Sequence, residues 1–311
     1  MPCRHLAQPI ACCLPALARP QLITYVPAAS ALYLVHGSPG TLFKLANAPT
    51  FSLQQLGTLA AVPALRFSRD ASVDYLTCSA PACQLAQVST QSDVLSTVCP
   101  SLSGLSSARG IARSSLAPGF TFVAVANAVV AVSSGCSQTS VAGTAGSSGY
   151  QDGAGSSAFF RNLRGLVVDP LDNSLLTVDT GGCTLRKISL PSFTVTTFWG
   201  TQDNCGFSLG TATTSLLQPQ SNLAVDASTG NVAFFSSISG VGSALALVVI
   251  DRASGLASSV VGLSSCVPGS ASVDGLAAQA CIPIVRDIAM ADANTIYVAQ
   301  PSMVRMVKLS I

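Results

Sequence analysis

The feature that most constrains the fold is a short apolar run that recurs six times along the chain. Each run ends at a small or polar residue, and the intervals between these ends are 43, 47, 53, 57 and 64 residues. A second apolar run follows each of them, and a third usually closes the unit. Runs of this length are typical of β-strands, and no stretch keeps a helical period. The six end residues are His36, Ser79, Ala126, Asp179, Ser236 and Gln300.

This recurrence predicts an all-β fold made of six similar units with about four short strands each. A single four-stranded sheet cannot bury both of its faces alone. It stacks on a neighbour at either side until the series of sheets closes into a ring. We therefore predict a six-bladed β-propeller, with residues 21–311 forming one domain.

The two ends of the chain depart from the repeat. Residues 1–20 are rich in proline and cysteine and show no period, so we expect an irregular segment. It is either a targeting segment or an incomplete start of the chain. The sixth unit stops at Ile311, just after its third strand. We expect the last blade to be incomplete or to be closed by an N-terminal strand from residues 3–14.

Composition supports this fold class and narrows the partners. Charged residues make up 9% of the chain, Glu is absent and Lys occurs three times, so good helix formers are scarce. The best apolar run, residues 120–132, is shorter than the roughly 20 residues that a membrane-spanning helix needs, so we predict no membrane span. The twelve Arg are scattered in a chain of net charge +2, which argues against a nucleic-acid partner.

Eleven cysteines are many for a cytosolic protein. With two His and no C-x-x-C motif, the chain offers no zinc site of the usual kind. The cysteines either form disulfides that tie loops together or are small buried apolar residues. The first reading favours an extracellular or cell-surface location. The candidate disulfide cysteines are Cys78, Cys83, Cys183, Cys205, Cys266 and Cys281.

The best-preserved unit, residues 141–179, has a Gly-rich loop, an Asp-Gly pair, a small-aromatic step and two apolar strands joined by a turn. An arginine-containing third strand follows. In this order of features it resembles the NHL repeat. The resemblance is strong over about 141–311 and weak over 22–140. The residues that define the repeat are Asp152, Gly153, Asp169, Asp179, Asp226, Asp274 and Gly275.

The Asp-Gly pairs have two readings. They contact a metal or ligand, or they form turns in which Gly takes a positive φ and Asp caps the backbone. We favour the turn. Residues 153–158 formally fit a dinucleotide-binding motif but lack the strand and helix that such a site needs. Asp179 is the only acid at the end of a second strand, so we expect no ring of acidic groups.

Three arginines interrupt apolar positions: Arg164, Arg186 and Arg305. Arg186 and Arg305 match an Ile-Arg step of the NHL repeat. They contact an acidic partner, or they occupy outward-facing strand positions in solvent, as the alternation of a strand would place them.

The resemblance implies a non-enzymatic, monomeric binding platform that holds a protein or small ligand on one propeller face. One alternative is a propeller enzyme, a metal-dependent lyase or hydrolase with its site in the central channel. Another is a truncated repeat segment of a larger surface protein. We predict no catalytic residue, cofactor or metal ligand, because Glu is absent and no Asp pair has a motif context.

Overall fold

The computed structural model describes residues 20–26, 29–36, 40–46, 53–59, 72–79, 82–238, 244–261, 282–301 and 304–309. Nearly all of them lie in strands and turns, arranged as six small antiparallel sheets in a ring. The fold is a six-bladed β-propeller, which confirms the predicted fold class. No helix within these ranges has the length and apolar character that crossing a membrane would require.

Blades 1 to 3 occupy the first half of the chain. Blade 1 contains β1 (Pro20–Val26), β2 (Ala31–His36), β3 (Gly40–Ala46) and β4 (Leu53–Leu59). Blade 2 contains β5 (Ser72–Ser79), β6 (Ala82–Ser89) and β7 (Leu95–Leu102). Blade 3 contains β8 (Gly110–Ala112), β9 (Phe120–Val125), β10 (Ala128–Ser133) and β11 (Gln138–Gly143).

Blades 4 to 6 follow the same order. Blade 4 contains β12 (Gly153–Ala154), β13 (Leu163–Val168), β14 (Leu175–Asp179), β15 (Thr184–Ile188) and β16 (Thr194–Trp199), with a 3-10 turn at Gly155–Ser157. Blade 5 contains β17 (Pro219–Val225), β18 (Val232–Ser237), β19 (Leu245–Asp251) and β20 (Leu256–Val261). Blade 6 contains β21 (Asp287–Asp292), β22 (Thr295–Ala299) and β23 (Val304–Lys308).

Buried apolar side chains form six clusters, and each cluster lies between two neighbouring blades. The sixth cluster joins the last blade to the first, with Ile23 and Leu34 packed against Tyr297 and Val304. This packing closes the ring. It also explains the high apolar content, because both faces of each strand are covered by another blade.

The antiparallel order of strands defines two faces of the ring. Face A contains the loops that join the first strand of a blade to the second and the third strand to the fourth. Face B contains the loops that join the second strand to the third and one blade to the next. The chain alternates between the two faces because neighbouring strands run in opposite directions.

The structure tests only part of what the sequence predicts for the two ends of the chain. The first strand begins at Pro20 and pairs with β2 in blade 1. Blade 6 has three strands among the described residues. The proposed closing strand at residues 3–14, like most of the predicted irregular segment 1–20, lies outside the described residues.

Candidate functional site

The central channel is the first candidate site. It is lined by the innermost strands of five blades, and its walls are mostly apolar, with Ile23, Leu166, Leu223 and Ile288 among the lining residues. The cavity inside has a volume of about 80 Å³. Pockets for small organic ligands usually measure about 300–1,000 Å³. The cavity that the described residues enclose is therefore too small for such a ligand.

The charged groups at the channel are engaged by neighbouring blades. One oxygen of the buried Asp287 accepts a hydrogen bond from the Asn222 side chain at 2.9 Å, and the other accepts one from the Ile23 N–H at 3.1 Å. Arg113 lies 3.6 Å from Asp74. The Asp287 contacts tie the innermost strands of three blades together, and the Arg113–Asp74 pair joins blade 3 to β5 of blade 2. Both carboxylates therefore connect neighbouring blades.

A metal centre is not apparent in the part of the chain that the structure describes. Within it, no three His, Cys, Asp or Glu side chains come close enough together to hold an ion. The hypothesis of a metal-dependent enzyme gains no support from these residues and stays a prediction.

Face A is the second candidate site, because large apolar side chains are exposed on it. Eight such side chains are exposed among the described residues, and six of them lie in or beside the loops of face A. Of the other two, Val98 lies within β7 and Ile284 precedes β21 on face B. The six on face A are Leu53, Val94, Leu116, Phe120, Leu171 and Leu256.

The loops of face A are fixed to one another across blade boundaries. The hydroxyls of Ser114 and Ser115, from blade 3, donate to the backbone and side-chain oxygens of Asn173 in blade 4, at 2.7 and 2.9 Å. Leu171 lies against Gly230 of blade 5, where a Cβ would meet the leucine side chain at 2.8 Å. The exposed apolar residues therefore stand on a connected framework rather than on independent loops.

Ion pairs strengthen this framework. Arg252 of blade 5 donates to the fully buried Asp169 of blade 4 at 2.9 Å, and its guanidinium lies 5.0 Å from the ring centre of Phe198. Lys44 of blade 1 donates to Asp93 of blade 2 at 2.8 Å. Although partial burial works in the opposite direction, the hydrogen bond with Asp93 raises the pKa of Lys44.

Asp169 and Asp226, which define the repeat, cap turns that follow the innermost strands. The Asp169 carboxylate accepts from the Leu171 N–H at 3.0 Å. Asp226 accepts from the backbone and hydroxyl groups of both Ser228 and Thr229. Burial alone would raise the pKa of Asp226, but these hydrogen bonds outweigh it and lower the pKa below the usual aspartate value.

The aspartate of the Asp-Gly pair in the best-preserved unit belongs to a polar cluster, the Arg186 cluster. It is formed by the half-buried Tyr150, the exposed Asp152 and the buried Asp179 and Arg186. Arg186 is fully buried and donates to Asp152 at 2.6 Å and to the buried Asp179 at 3.5 Å. The guanidinium also lies 4.2 Å from the ring centre of Tyr150. Asp152 therefore contacts a side chain of its own blade. Gly153 pairs with Val195 of the outermost strand.

Asp179 completes this cluster from the end of the second strand. Its carboxylate accepts backbone hydrogen bonds from Arg161, Asn162 and Gly182 at 3.0–3.3 Å. The guanidinium of Arg186 also donates to the carbonyls of Gln151 and Phe159. The cluster thus fixes the joint between blades 3 and 4.

The predicted partner-contact arginines occupy different environments. Arg186 and Arg305 are buried, which corrects their interpretation as surface contacts. The reason is that a neighbouring blade covers the strand face that alternation would otherwise leave in solvent. Arg164 is partly exposed at the start of β13, where it donates to the backbone carbonyl of Gln220.

Three disulfides are present among the described residues. Cys78–Cys83 and Cys183–Cys205 join four of the six candidate disulfide cysteines. The third, Cys99–Cys136, joins the outermost strand of blade 2 to a loop of blade 3 and was not anticipated from sequence spacing. Cys266, Cys281, Asp274 and Gly275 lie outside the described residues.

The apolar residues of face A were not anticipated from the sequence. A signal does exist, because Leu116 and Leu171 are apolar residues inside loops that are otherwise made of Ser, Pro, Asp and Asn. In a chain that is 49% hydrophobic, however, a single apolar residue in a loop cannot be distinguished by pattern from the many that are buried.

Comparison with known proteins supports the fold but indicates no activity. No protein-family model matches the chain, and no curated protein matches its sequence. The chain is similar in structure to a protein of unknown function from Bacteroides thetaiotaomicron, with a TM-score of 0.70 and 14% identity over 94% of this chain and 70% of that one.

Two further solved structures are similar. One is an auxiliary nutrient binding protein from Bacteroides thetaiotaomicron, with a TM-score of 0.53 and 14% identity over 78% of this chain and 60% of that one. The other is a chain of a nidogen/laminin complex, with a TM-score of 0.54 and 14% identity over 86% of this chain and 84% of that one. At these identities the likeness shows the propeller fold alone.

Proposed function

We propose that this chain is a non-enzymatic, NHL-type propeller that binds a protein partner on face A. The observation that carries the proposal is the concentration of exposed apolar residues there, six of the eight among the described residues. Exposed apolar side chains that form one patch mark an interaction surface, which is the role proposed here for face A. Serine, proline and aspartate lie next to Leu116 and Leu171 in the sequence, as polar residues border the apolar centre of an interface.

The framework beneath face A supports this function. Ser114, Asn173, Asp169 and Arg252 connect the loops of three successive blades. A surface whose shape is already fixed loses little conformational entropy on binding, so more of the contact energy appears as affinity.

The narrow channel favours a protein over a small ligand. A cavity of about 80 Å³ holds a few water molecules, whereas the faces of the ring are broad. The nutrient-binding and nidogen/laminin neighbours are consistent with a propeller that acts by binding, although each name describes that protein and not this one.

The proposed location is extracellular or on the cell surface. Three disulfides join described residues, and such bonds persist in oxidising compartments. The NHL-type assignment is supported by the order of repeat features in residues 141–179 and by the Arg186 cluster that those features build. We expect the domain to be monomeric in the absence of its partner.

Site-specific photo-crosslinking tests the proposal. A photoreactive residue replaces Leu116 or Leu256 on face A, and in a matched control it replaces Thr213, an exposed residue of face B. The variants are irradiated with the secreted and surface proteins of the source cells. We expect discrete adducts from the face A positions only, and we expect unlabelled protein to compete for them. Competition should be lost when the competitor carries L116S, F120S and L256S.

Adducts that form only at Thr213, or equally from both faces, would overturn the assignment of face A. The assignment would also be overturned if the unlabelled triple variant suppressed the adducts as well as the unlabelled native protein does. The apolar side chains would then contribute nothing to binding.

A further inference from the structure

Two arginines lie side by side where the innermost strands of blades 3 and 4 begin, at the face B mouth of the channel. Arg109 directly precedes β8 and is exposed, and Arg164 is the second residue of β13. The Gly165 N–H donates to the Arg109 carbonyl at 3.1 Å, so the two backbones are joined at this level. The two side chains therefore leave adjacent points of the inner ring.

Glycines allow this close approach. A Cβ on Gly110 would lie 2.4 Å from the backbone nitrogen of Leu166 and 2.5 Å from the carbonyl carbon of Gly165. Gly165 itself has a φ of +69°, a conformation that other residues rarely adopt. The strands that carry the two arginines are thus brought together by residues without side chains.

The two positive charges have little compensation among the described residues. Arg164 donates to the backbone carbonyl of Gln220, a neutral acceptor, and the Arg109 guanidinium contacts no acceptor in the described part of the chain. The carboxylate of Asp287 on the inner strand of blade 6 is already engaged by Asn222 and by the Ile23 N–H.

The electrostatics agree with this geometry. Burial lowers the pKa of Arg164, and the nearby charge of Arg109 lowers it further. Within the described residues, no contact of these two guanidinium groups supplies a negative charge, so an added anion would relieve repulsion and make charge-assisted hydrogen bonds.

We infer that Arg109 and Arg164 bind an oxyanion at the face B mouth of the channel. The ligand class is a carboxylate or phosphate group, since the planar guanidinium fork matches the oxygens of both. The source is either a free small anion or an acidic side chain of a peptide. The inference concerns the opposite face from the proposed protein-binding surface and does not depend on it.

Calorimetric titration of the full chain tests the inference with two probes, inorganic phosphate and a short Asp-rich peptide. R109Q and the double variant R109Q/R164Q remove the charges. R161Q is the matched control, because it removes an exposed arginine of face B that is paired with Asp203. Arg109 has no side-chain contact to lose in the described part of the chain, so R109Q is expected to fold normally even if the double variant does not.

We expect at least one probe to bind the native protein and the R161Q variant alike. R109Q should weaken that binding about tenfold or more, since it removes a charge-assisted hydrogen bond and each tenfold change in affinity corresponds to about 1.4 kcal/mol. Preferential binding of phosphate identifies a free anion as the source, and preferential binding of the peptide identifies an acidic side chain. If neither probe binds, or if R161Q weakens binding as much as R109Q does, the inference is overturned.

Discussion

The guanidinium of Arg186 donates a hydrogen bond of 2.6 Å to the carboxylate of Asp152, which lies 34 residues earlier in the chain. This contact joins the loop between two blades to the third strand of blade 4. In blade 5, Ser236 stands at the position of Asp179 and Val248 at that of Arg186. In blade 3, Ala126 and Val129 stand at these positions. In blade 6, Gln300 stands at the position of Asp179 but the arginine is kept as Arg305. The acid and the arginine are therefore absent together in blades 3 and 5, whereas blade 6 keeps the arginine alone.

Replacing Arg186 is expected to destabilise the protein strongly. R186M keeps an unbranched apolar stem but removes the guanidinium, which leaves the buried Asp179 without its cationic partner. The expected loss in the free energy of unfolding is about 3–5 kcal/mol, because the remaining carboxylate is an uncompensated buried charge. Denaturant unfolding at neutral pH measures it.

A surface ion pair provides the comparison. Arg161 and Asp203 are both exposed by about 40%. R161Q should change the free energy of unfolding by less than about 1 kcal/mol, because exposed ion pairs contribute little. If R186M were no more destabilising than R161Q, the Arg186 cluster would not hold the joint.

We expect the difference in stability between D226N and the native protein to depend on pH. Its pKa is lowered in the folded protein, so its ionised form stabilises the fold. That contribution is fully present above the ordinary aspartate pKa of about 3.9 and is lost as the pH falls through the lowered value. D226N should therefore be less stable than the native protein at pH 7, by about 1 kcal/mol.

The difference between D226N and the native protein should shrink as the pH falls below about 4, since Asp226 is then protonated in the unfolded chain and, at still lower pH, in the folded protein. Unfolding curves recorded at several pH values measure this convergence. A difference that stays constant over that range would show that the charge of Asp226 contributes nothing.

The sequence was sufficient to predict the fold because the six-fold recurrence is a property of the whole chain. Predicting whether an individual side chain is buried requires knowing how the blades stack in the ring. Arg186 fits an outward-facing strand position by alternation, yet the stacking of neighbouring blades buries both faces of a strand. The partner Asp152 comes from a loop 34 residues away, a distance in sequence that no local pattern reveals.

Face A could not be predicted for a related reason. Leu53, Phe120 and Leu256 are the first residues of strands, where an apolar residue is usual. Their position on the same face as the loop residues Leu116 and Leu171 becomes evident only when the blades are arranged in the ring. The close approach of Gly110 to Gly165 likewise joins two residues that are remote in sequence.

The disulfides should differ in their effect on stability. Cys99 and Cys136 are 37 residues apart, whereas Cys78 and Cys83 are five apart. A longer closed loop restricts the unfolded chain more, by about 1–2 kcal/mol for this difference. We expect C99A/C136A to lower the free energy of unfolding more than C78A/C83A does. An equal loss for the two pairs would contradict this order.

Polar substitutions on face A should leave the fold intact. Leu116, Phe120 and Leu256 are exposed, so L116S, F120S and L256S should each change the free energy of unfolding by less than about 0.5 kcal/mol. The triple variant should bind less of the dye ANS, which fluoresces on apolar surfaces. The matched control is I284S, which removes an exposed apolar residue from face B. Equal dye loss in both would mean that face A is not the main apolar surface.

Gly110 should tolerate no side chain, because the innermost strands of blades 3 and 4 meet there. In G110A the added methyl group would lie 2.4 Å from the Leu166 nitrogen, and a backbone atom cannot rotate away as a side chain can. The strands must separate, at an expected cost of about 1–3 kcal/mol in the free energy of unfolding. G119A is the control, since a Cβ at Gly119 meets no atom within 4 Å. Equal stability of the two variants would show that this contact does not set the spacing of the inner ring.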